Sequence, residues 1–266
     1  MAAEVIDMSH HKGAHPRIGA TDVCPFVPVS NVTMNECVQI ARTLGKEVGE
    51  WLGIPVYLYG EAAVIPERHI LPDIRKGEYE GLPEKLKDEK WRPDYGPVEF
   101  NENVRRTGAT VIGAREFLIA YNVNLDTQDI QIANKISGIV RASGVVQVNE
   151  KGEKVRVPGL LKCVQAMGVY LKEHNITQVS INLLNYKVTP PHVAFEEAKR
   201  QAGKFGVHVT GSEVVGLIPK EALLAAGRFY TEETSEEAFI AAAVERLGLS
   251  QLNKFIPEKK VIEYML

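Results

Sequence analysis

The patterning of apolar segments predicts an α+β protein whose second half is a split βαβ, ferredoxin-like sheet, and two observations carry that expectation. From Phe117 onward the segments run strand, helix, strand, strand, helix, strand, with two trailing helices. Right-handed crossovers then put both helices on one face and make the first and third strands central neighbours. Those two strands each divide into an apolar and a polar row when read alternately, as a sheet with one covered face requires. The boundary falls ahead of Phe117, giving an N-terminal subdomain of residues 1–116 and a C-terminal subdomain of residues 117–266.

Each element has a local reason. Residues 2–8 read as the last two turns of an amphipathic helix, and residues 9–20 as a loop rich in His and Gly. Residues 22–29 form a short apolar strand, which Pro25 and Pro28 assign to an edge or a bulge. Thr33 and Glu36 make a capping box, and the helix they open turns Met34, Cys37, Val38, Ala41, Leu44, Val48 and Leu52 inward before Gly53 stops it. A strand follows at 54–59, and the charged, Gly-interrupted stretch 68–90 predicts short helical turns on the surface.

In the second half, strand 117–125 precedes a helix over 128–141 capped by Thr127. Residues 145–157 are a hairpin with its tip at Glu150-Lys151-Gly152. Strands at 160–170 and 177–184 lead to a helix capped by Thr189 that begins with Pro190 and Pro191, where proline is tolerated. A strand at 207–215 and helices at 220–229 and 236–247 end the chain.

The apolar rows Phe117, Ile119, Tyr121, Val123 and Val179, Ile181, Leu183 must face the helices. The other rows then set Asn122, Asn124, Gln178, Ser180 and Asn182 side by side on the uncovered face. A solvated or domain-packed sheet face is one reading of that row. Short amides and a hydroxyl also suit hydrogen bonding to a neutral polar ligand, and both readings stay open at this level.

Composition narrows the function. Hydrophobic residues make up 45% of the 266 positions and charged residues 24%, ordinary values for a folded chain. With 31 basic against 34 acidic residues the net charge is -3, which offers no basic excess to track nucleic acid. A local pair such as Arg105 and Arg106 could still hold an anionic small molecule. Cys24, Cys37 and Cys163 lack CxxC spacing and read as reduced core thiols of a cytosolic protein. Glu4 and Asp7 interrupt any export signal, and no apolar run approaches the ~20 residues that cross a bilayer. A cytoplasmic protein without membrane or nucleic-acid partners is expected.

His10, His11 and His15 lie within six residues of one another. Their spacing is poor for a metal, with no carboxylate or thiolate at helical distance and Pro16 breaking any helix. His10 and His11 read as surface imidazoles. His15, in a loop stiffened by Pro16, reads either as a catalytic proton carrier or as a loop-fixing hydrogen bond.

Read together, the segments EVIDMSHHKGAHPRIGATDVCPF, GIPVYLYGEAA, DIRKGEYEGLPEKL, PDYGP, GATVIGAREFLIAYNVNL, PGLLKCVQAMGVYL, VTPPHVAFEEA, VTGSEVVGLIP and VIEYML resemble the glutamate formimidoyltransferase family along almost the whole chain. The resemblance implies two ferredoxin-like α/β subdomains whose sheets flank a folate-binding groove. It implies transfer of a formimidoyl group from N-formimidoyl-L-glutamate to N5 of tetrahydrofolate, a step of histidine degradation, with tetrahydrofolate as co-substrate and no metal. His15, in the family's HPR segment, would be the general acid/base and Arg17 a substrate-binding residue. Gly96, Pro97, Thr107 and Gly108 would bound the folate site, and Asn122, Asn124, Ser180 and Asn182 would face the groove. Other one-carbon donors, such as a formyl donor, or a folate-binding subunit without turnover, are the competing expectations.

The family also has a strand–helix–strand–strand–helix block ahead of the EVIDM segment. The first subdomain is therefore expected to be incomplete, with unpaired strands and an uncovered apolar face, and completed by a second chain or in a homodimer. The family usually has Glu immediately before the histidine, where this chain has Ala14.

Overall fold

The computed structural model describes residues 1–12 and 16–266. Within them the chain divides into two units, Met1–Glu116 and Phe117–Leu266. Both mix helices with small sheets, so the class is α+β.

The first unit contains α1 (Ala2–Val5), β1 (Asp22–Phe26), α2 (Met34–Leu52), β2 (Val56–Gly60), α3 (Leu71–Arg75), α4 (Leu82–Lys85), α5 (Glu102–Thr107) and β3 (Thr110–Ala114). Its strands form one parallel sheet in the order β1-β3-β2. β3 pairs with both of the others, while β1 and β2 each keep one outer edge without a strand partner among the described residues. The sheet also differs from the antiparallel split βαβ pattern. The three strands lie tens of residues apart, so nothing local announces their pairing.

β2 and β3 are covered on both faces, which corrects the expected uncovered face there, while all five residues of β1 are only half-buried. Val111 packs with Tyr57, Tyr59, Ile74, Leu82 and Val104 on one side. Ile112 packs with Cys37, Val38, Ala41 and Val56 on the other. A parallel sheet buried on both faces explains why all five residues of β2 and of β3 are buried. The stretch expected on the surface contributes to this core, with Ile74 and Leu82 at 0% exposure.

The capping box of α2 is formed, with the Glu36 amide donating to Thr33 Oγ1 at 3.2 Å and the Thr33 amide to Glu36 Oε2 at 2.7 Å. The buried stripe departs from expectation at its end. Leu52 is 57% exposed, and Gly45 and Gly49 are buried in its stead. A Cβ at Gly49 would lie 2.6 Å from the Gly96 nitrogen, so the missing side chain lets the 95–96 loop touch the helix.

The second unit contains β4 (Ile119–Leu125), α6 (Ile130–Val140), the hairpin β5 (Val145–Val148) and β6 (Lys154–Val157), β7 (Val164–Leu171), β8 (Ile176–Leu183), α7 (Pro191–Lys204), β9 (Val209–Val215), α8 (Lys220–Tyr230), α9 (Glu236–Arg246) and α10 (Pro257–Lys260). Four strands form a sheet in the order β7-β8-β4-β9, with β4 antiparallel to both neighbours. The first and third strands of the βαββαβ run are thus central. Ile119, Tyr121, Val123, Val179, Ile181 and Leu183 are at most 1% exposed and pack with Ala133, Ile136, Ala194, Ala198 and Leu223 of the helices.

Two caps differ from expectation. Asp129 rather than Thr127 caps α6, its carboxylate accepting the Gln131 amide at 2.8 Å, while Thr127 Oγ1 accepts the Asp129 amide. Thr189 does not cap α7, because the helix starts one residue later with Pro190 in the N-cap position; the Thr189 hydroxyl donates to the Lys162 carbonyl at 2.6 Å. All three cysteines are free.

Candidate functional site

Asp22, at the head of β1, organises what can be described of the HPR segment. Its backbone lies in the left-handed region at φ 56, which a non-glycine residue adopts only at a cost. One carboxylate oxygen accepts the Ile18 amide at 2.8 Å and the other accepts Arg75 Nη2. Arg17, whose side chain is 11% exposed, is held by Glu78 at 2.9 Å, by Glu80 at 2.6 Å and by the His11 carbonyl at 3.0 Å. The Arg17 guanidinium depresses the Glu80 carboxyl to about 2. His15 itself, with Gly13 and Ala14, lies outside the described residues.

Thr107 and Gly108 join Arg17 at this place. The Ala20 amide donates to the Thr107 carbonyl at 2.8 Å and the Ala109 amide to the Ile18 carbonyl at 2.9 Å. Gly108 has φ 66 and ψ -152, a conformation open essentially only to glycine. A Cβ there would sit 2.2 Å from the Ile18 carbonyl oxygen. Thr107 is 2% exposed and its hydroxyl donates to backbone carbonyls, so it fixes the end of α5 and has no donor left to offer. Gly96 and Pro97 lie elsewhere in the unit, at the loop seated against Gly49 and the Ile54 carbonyl.

On the second unit the expected polar row is assembled and then divided. Register sets Asn122 opposite Ser180, Asn124 opposite Gln178, and Ala120 opposite Asn182. Asn124 and Gln178 are 0% and 2% exposed and hydrogen-bonded to each other. Gln178 Nε2 donates to Asn124 Oδ1 at 2.8 Å and to Glu213 Oε1 at 2.9 Å, and Asn124 Nδ2 donates to Gln251 Oε1 at 2.5 Å. Segment 248–251 lies over that end of the sheet, with Gln251 Cβ 2.6 Å from where a Cβ on Gly211 would stand. Asn124 is therefore a covered structural amide, which corrects its place in the ligand-facing row.

Asn122, Ser180 and Asn182 remain half-buried on the open part of the face. Asn122 donates to Glu213 at 3.1 Å, whereas the side chains of Ser180 and Asn182 carry no hydrogen bond among the described residues. Glu213 was missed from the sequence. Reading β9 with the same period of two would have placed it beside Asn122, as the register does.

The pair Arg105 and Arg106 is spent within the fold. Arg105 binds Glu102 at 2.7 Å, Ser9 at 2.5 Å and Asp7 at 3.4 Å, and Arg106 donates to the Glu4 carbonyl. A cleft of about 280 Å³ opens beside Pro16, lined by Pro72, Arg75, Lys76, Gly77 and Glu78. A larger one of about 620 Å³ lies along α9 and the last turns, with Ile240, Ala241, Val244 and Tyr264 in its wall and none of the expected site residues. His10 and His11 are exposed. Among the described residues no group of three or more His, Cys, Asp or Glu could hold a metal ion, and no helix is long and apolar enough to cross a membrane.

Two family profiles match this chain: "Formiminotransferase domain, N-terminal subdomain" over residues 1–115 and "Formiminotransferase domain" over residues 120–266. The chain belongs to the formiminotransferase domain family. It is 46% identical over 233 residues to glutamate formimidoyltransferase of Thermoplasma acidophilum, covering 87% of this chain and 71% of that one. It is 44% identical over 231 residues to glutamate formimidoyltransferase of Streptococcus pyogenes serotype M1, covering 87% of this chain and 72% of that one. Formimidoyltransferase-cyclodeaminase of Mus musculus is 49% identical over 270 residues, covering all of this chain and 48% of its own length. This formiminotransferase-family chain thus spans about half the length of those two-name relatives.

Proposed function

We propose that this chain transfers a formimidoyl group from N-formimidoyl-L-glutamate to N5 of tetrahydrofolate, with His15 as general acid/base. The observation that carries the reading is the match to both formiminotransferase profiles, joined to identities of 46% and 44% with two glutamate formimidoyltransferases. The geometry supports it in each unit separately. The chain on the C-terminal side of His15 is pinned to Gly108 and Asp22, as a group that must hold a fixed position requires. Ser180 and Asn182 offer unpaired hydroxyl and amide groups to a polar ligand such as the folate ring system.

The chemistry asks for one mobile proton. Attack by N5 forms a bond to the amidine carbon and leaves positive charge on the attacking nitrogen. His15 removes that proton and delivers one to the glutamate nitrogen as its bond to the same carbon breaks, so glutamate leaves as a neutral amine. An imidazole titrating near neutrality can do both, and such catalysis is typically worth about 10²–10⁴-fold.

Incubating the purified chain with N-formimidoyl-L-glutamate and tetrahydrofolate should release L-glutamate and form 5-formimidoyltetrahydrofolate in equal amounts. Glutamate release no faster than in a control without folate would refute the reading. Turnover with a formyl donor but not with the formimidoyl donor would reassign the substrate.

A further inference from the structure

A glutamate-derived donor brings carboxylates, and a carboxylate needs cationic donors that the fold has not already used. Three arginines of the first unit fail that test. Both terminal nitrogens of Arg17 are engaged by Glu78, Glu80 and the His11 carbonyl, both of Arg68 by Asp94 and two carbonyls, and both of Arg105 by Glu102, Asp7 and Ser9. Arg75 is different. Its Nη2 reaches Asp22, while its Nη1 carries no hydrogen bond among the described residues, and the side chain lines the cleft beside Pro16. Lys76 lines the same cleft, is exposed, and has no ion pair among the described residues.

We propose that Arg75 and Lys76 form a carboxylate seat for the amino-acid donor in the cleft they line with Pro16, Pro72, Gly77 and Glu78. This rests on the transferase reading above and names the residues that would select an acidic donor. Glu78, the one anion in the lining, is already paired with Arg17. Asp22 acts as a positioning residue, since its fixed carboxylate orients the Arg75 guanidinium. At about 280 Å³ the cleft has room for an amino-acid head, and its two cations favour an acidic group over a neutral pteridine. Pro16 also places the cleft one residue along the chain from His15.

Calorimetry on the whole chain with N-formimidoyl-L-glutamate, and separately with tetrahydrofolate, tests this. Lys76→Ala should weaken donor binding about 5–10-fold, and Arg75→Lys about 10–100-fold, because lysine keeps the charge beside Asp22 but loses the planar fork. Folate affinity should stay within about twofold, and in turnover the donor KM should rise while kcat holds. Unchanged donor affinity in both variants, or an equal loss of folate affinity, overturns the seat. Should Arg75→Lys misfold, exposed Lys76 decides alone. Donor binding that both variants weaken, without turnover in the parent chain, upholds the seat and removes the transferase reading. Turnover with an unshifted donor KM does the reverse.

Discussion

Asn124 and Asn182 look alike in sequence, two amides on one sheet face, and the fold separates them into different tasks. Asn124→Ala removes the bond accepted from Gln178 at 2.8 Å and the bond donated to Gln251 at 2.5 Å. Each such bond contributes about 0.5–1.5 kcal/mol net, and a buried amide left under-satisfied adds about 1–3 kcal/mol. Gln178 keeps its bond to Glu213, so the lower part of that range applies, and about 2–4 kcal/mol of destabilisation is expected. Asn182→Ala breaks no hydrogen bond among the described residues and should cost less than about 0.5 kcal/mol. Urea unfolding, paired with calorimetric titration of tetrahydrofolate, reads both quantities. Asn124→Ala should lower the unfolding midpoint and leave the folate affinity of the folded fraction intact, and Asn182→Ala should do the opposite. Equal stability of the two variants, or folate affinity indifferent to Asn182, would refute the division of the polar row.

Gly108→Ala adds backbone strain of about 1–3 kcal/mol to a 2.2 Å contact with the Ile18 carbonyl, so its unfolding midpoint should drop sharply. Gly203→Ala, in α7 with nothing within 4 Å of the new methyl, should instead gain up to about 1 kcal/mol, and a loss there would show that the helix is misjudged. His15→Asn should cut turnover by about 10²–10⁴ while folate still binds, and Ala14→Glu should raise the rate if a carboxylate there tunes the imidazole; stopped-assay kinetics on both variants measures this. Lys85 provides a pH signature. Burial lowers its folded-state value from 10.5 to about 8, so between those limits the unfolded chain binds more protons and stability rises with pH. Comparing unfolding midpoints of the parent and Lys85→Met at pH 7 and pH 10 should show the parent gaining relative to the variant.

Local rules carried the sequence reading wherever they were sufficient. The Thr33–Glu36 box, the stop at Gly53 and the alternating rows of β4 and β8 depend on residues a few positions apart, and each is found as expected. The parallel pairing of β1, β3 and β2 was illegible because it joins Asp22, Val56 and Thr110 across long intervening stretches. The same limit hid the bond from Asn124 to Gln251, 127 positions away. Thr189 differs for a subtler reason: α7 begins one residue too late for it, at Pro191 with Pro190 in the N-cap position, and its hydroxyl is bonded to the Lys162 carbonyl. The residue types of the HPR segment point to chemistry, but the role of Asp22 depends on its left-handed backbone and on two carboxylate bonds that no local pattern shows.

The seating of residues 248–251 over the four-stranded sheet sets an order of events during synthesis. The last strand is complete at Val215, yet the amide bridge from Asn124 has no partner until Gln251 has been made and has left the ribosome. Loops that long close late, after local helices and hairpins have formed. A nascent second unit stalled short of Gln251 would thus carry an assembled sheet with a wet seam at one end, and the final turns act as the latch that dries it.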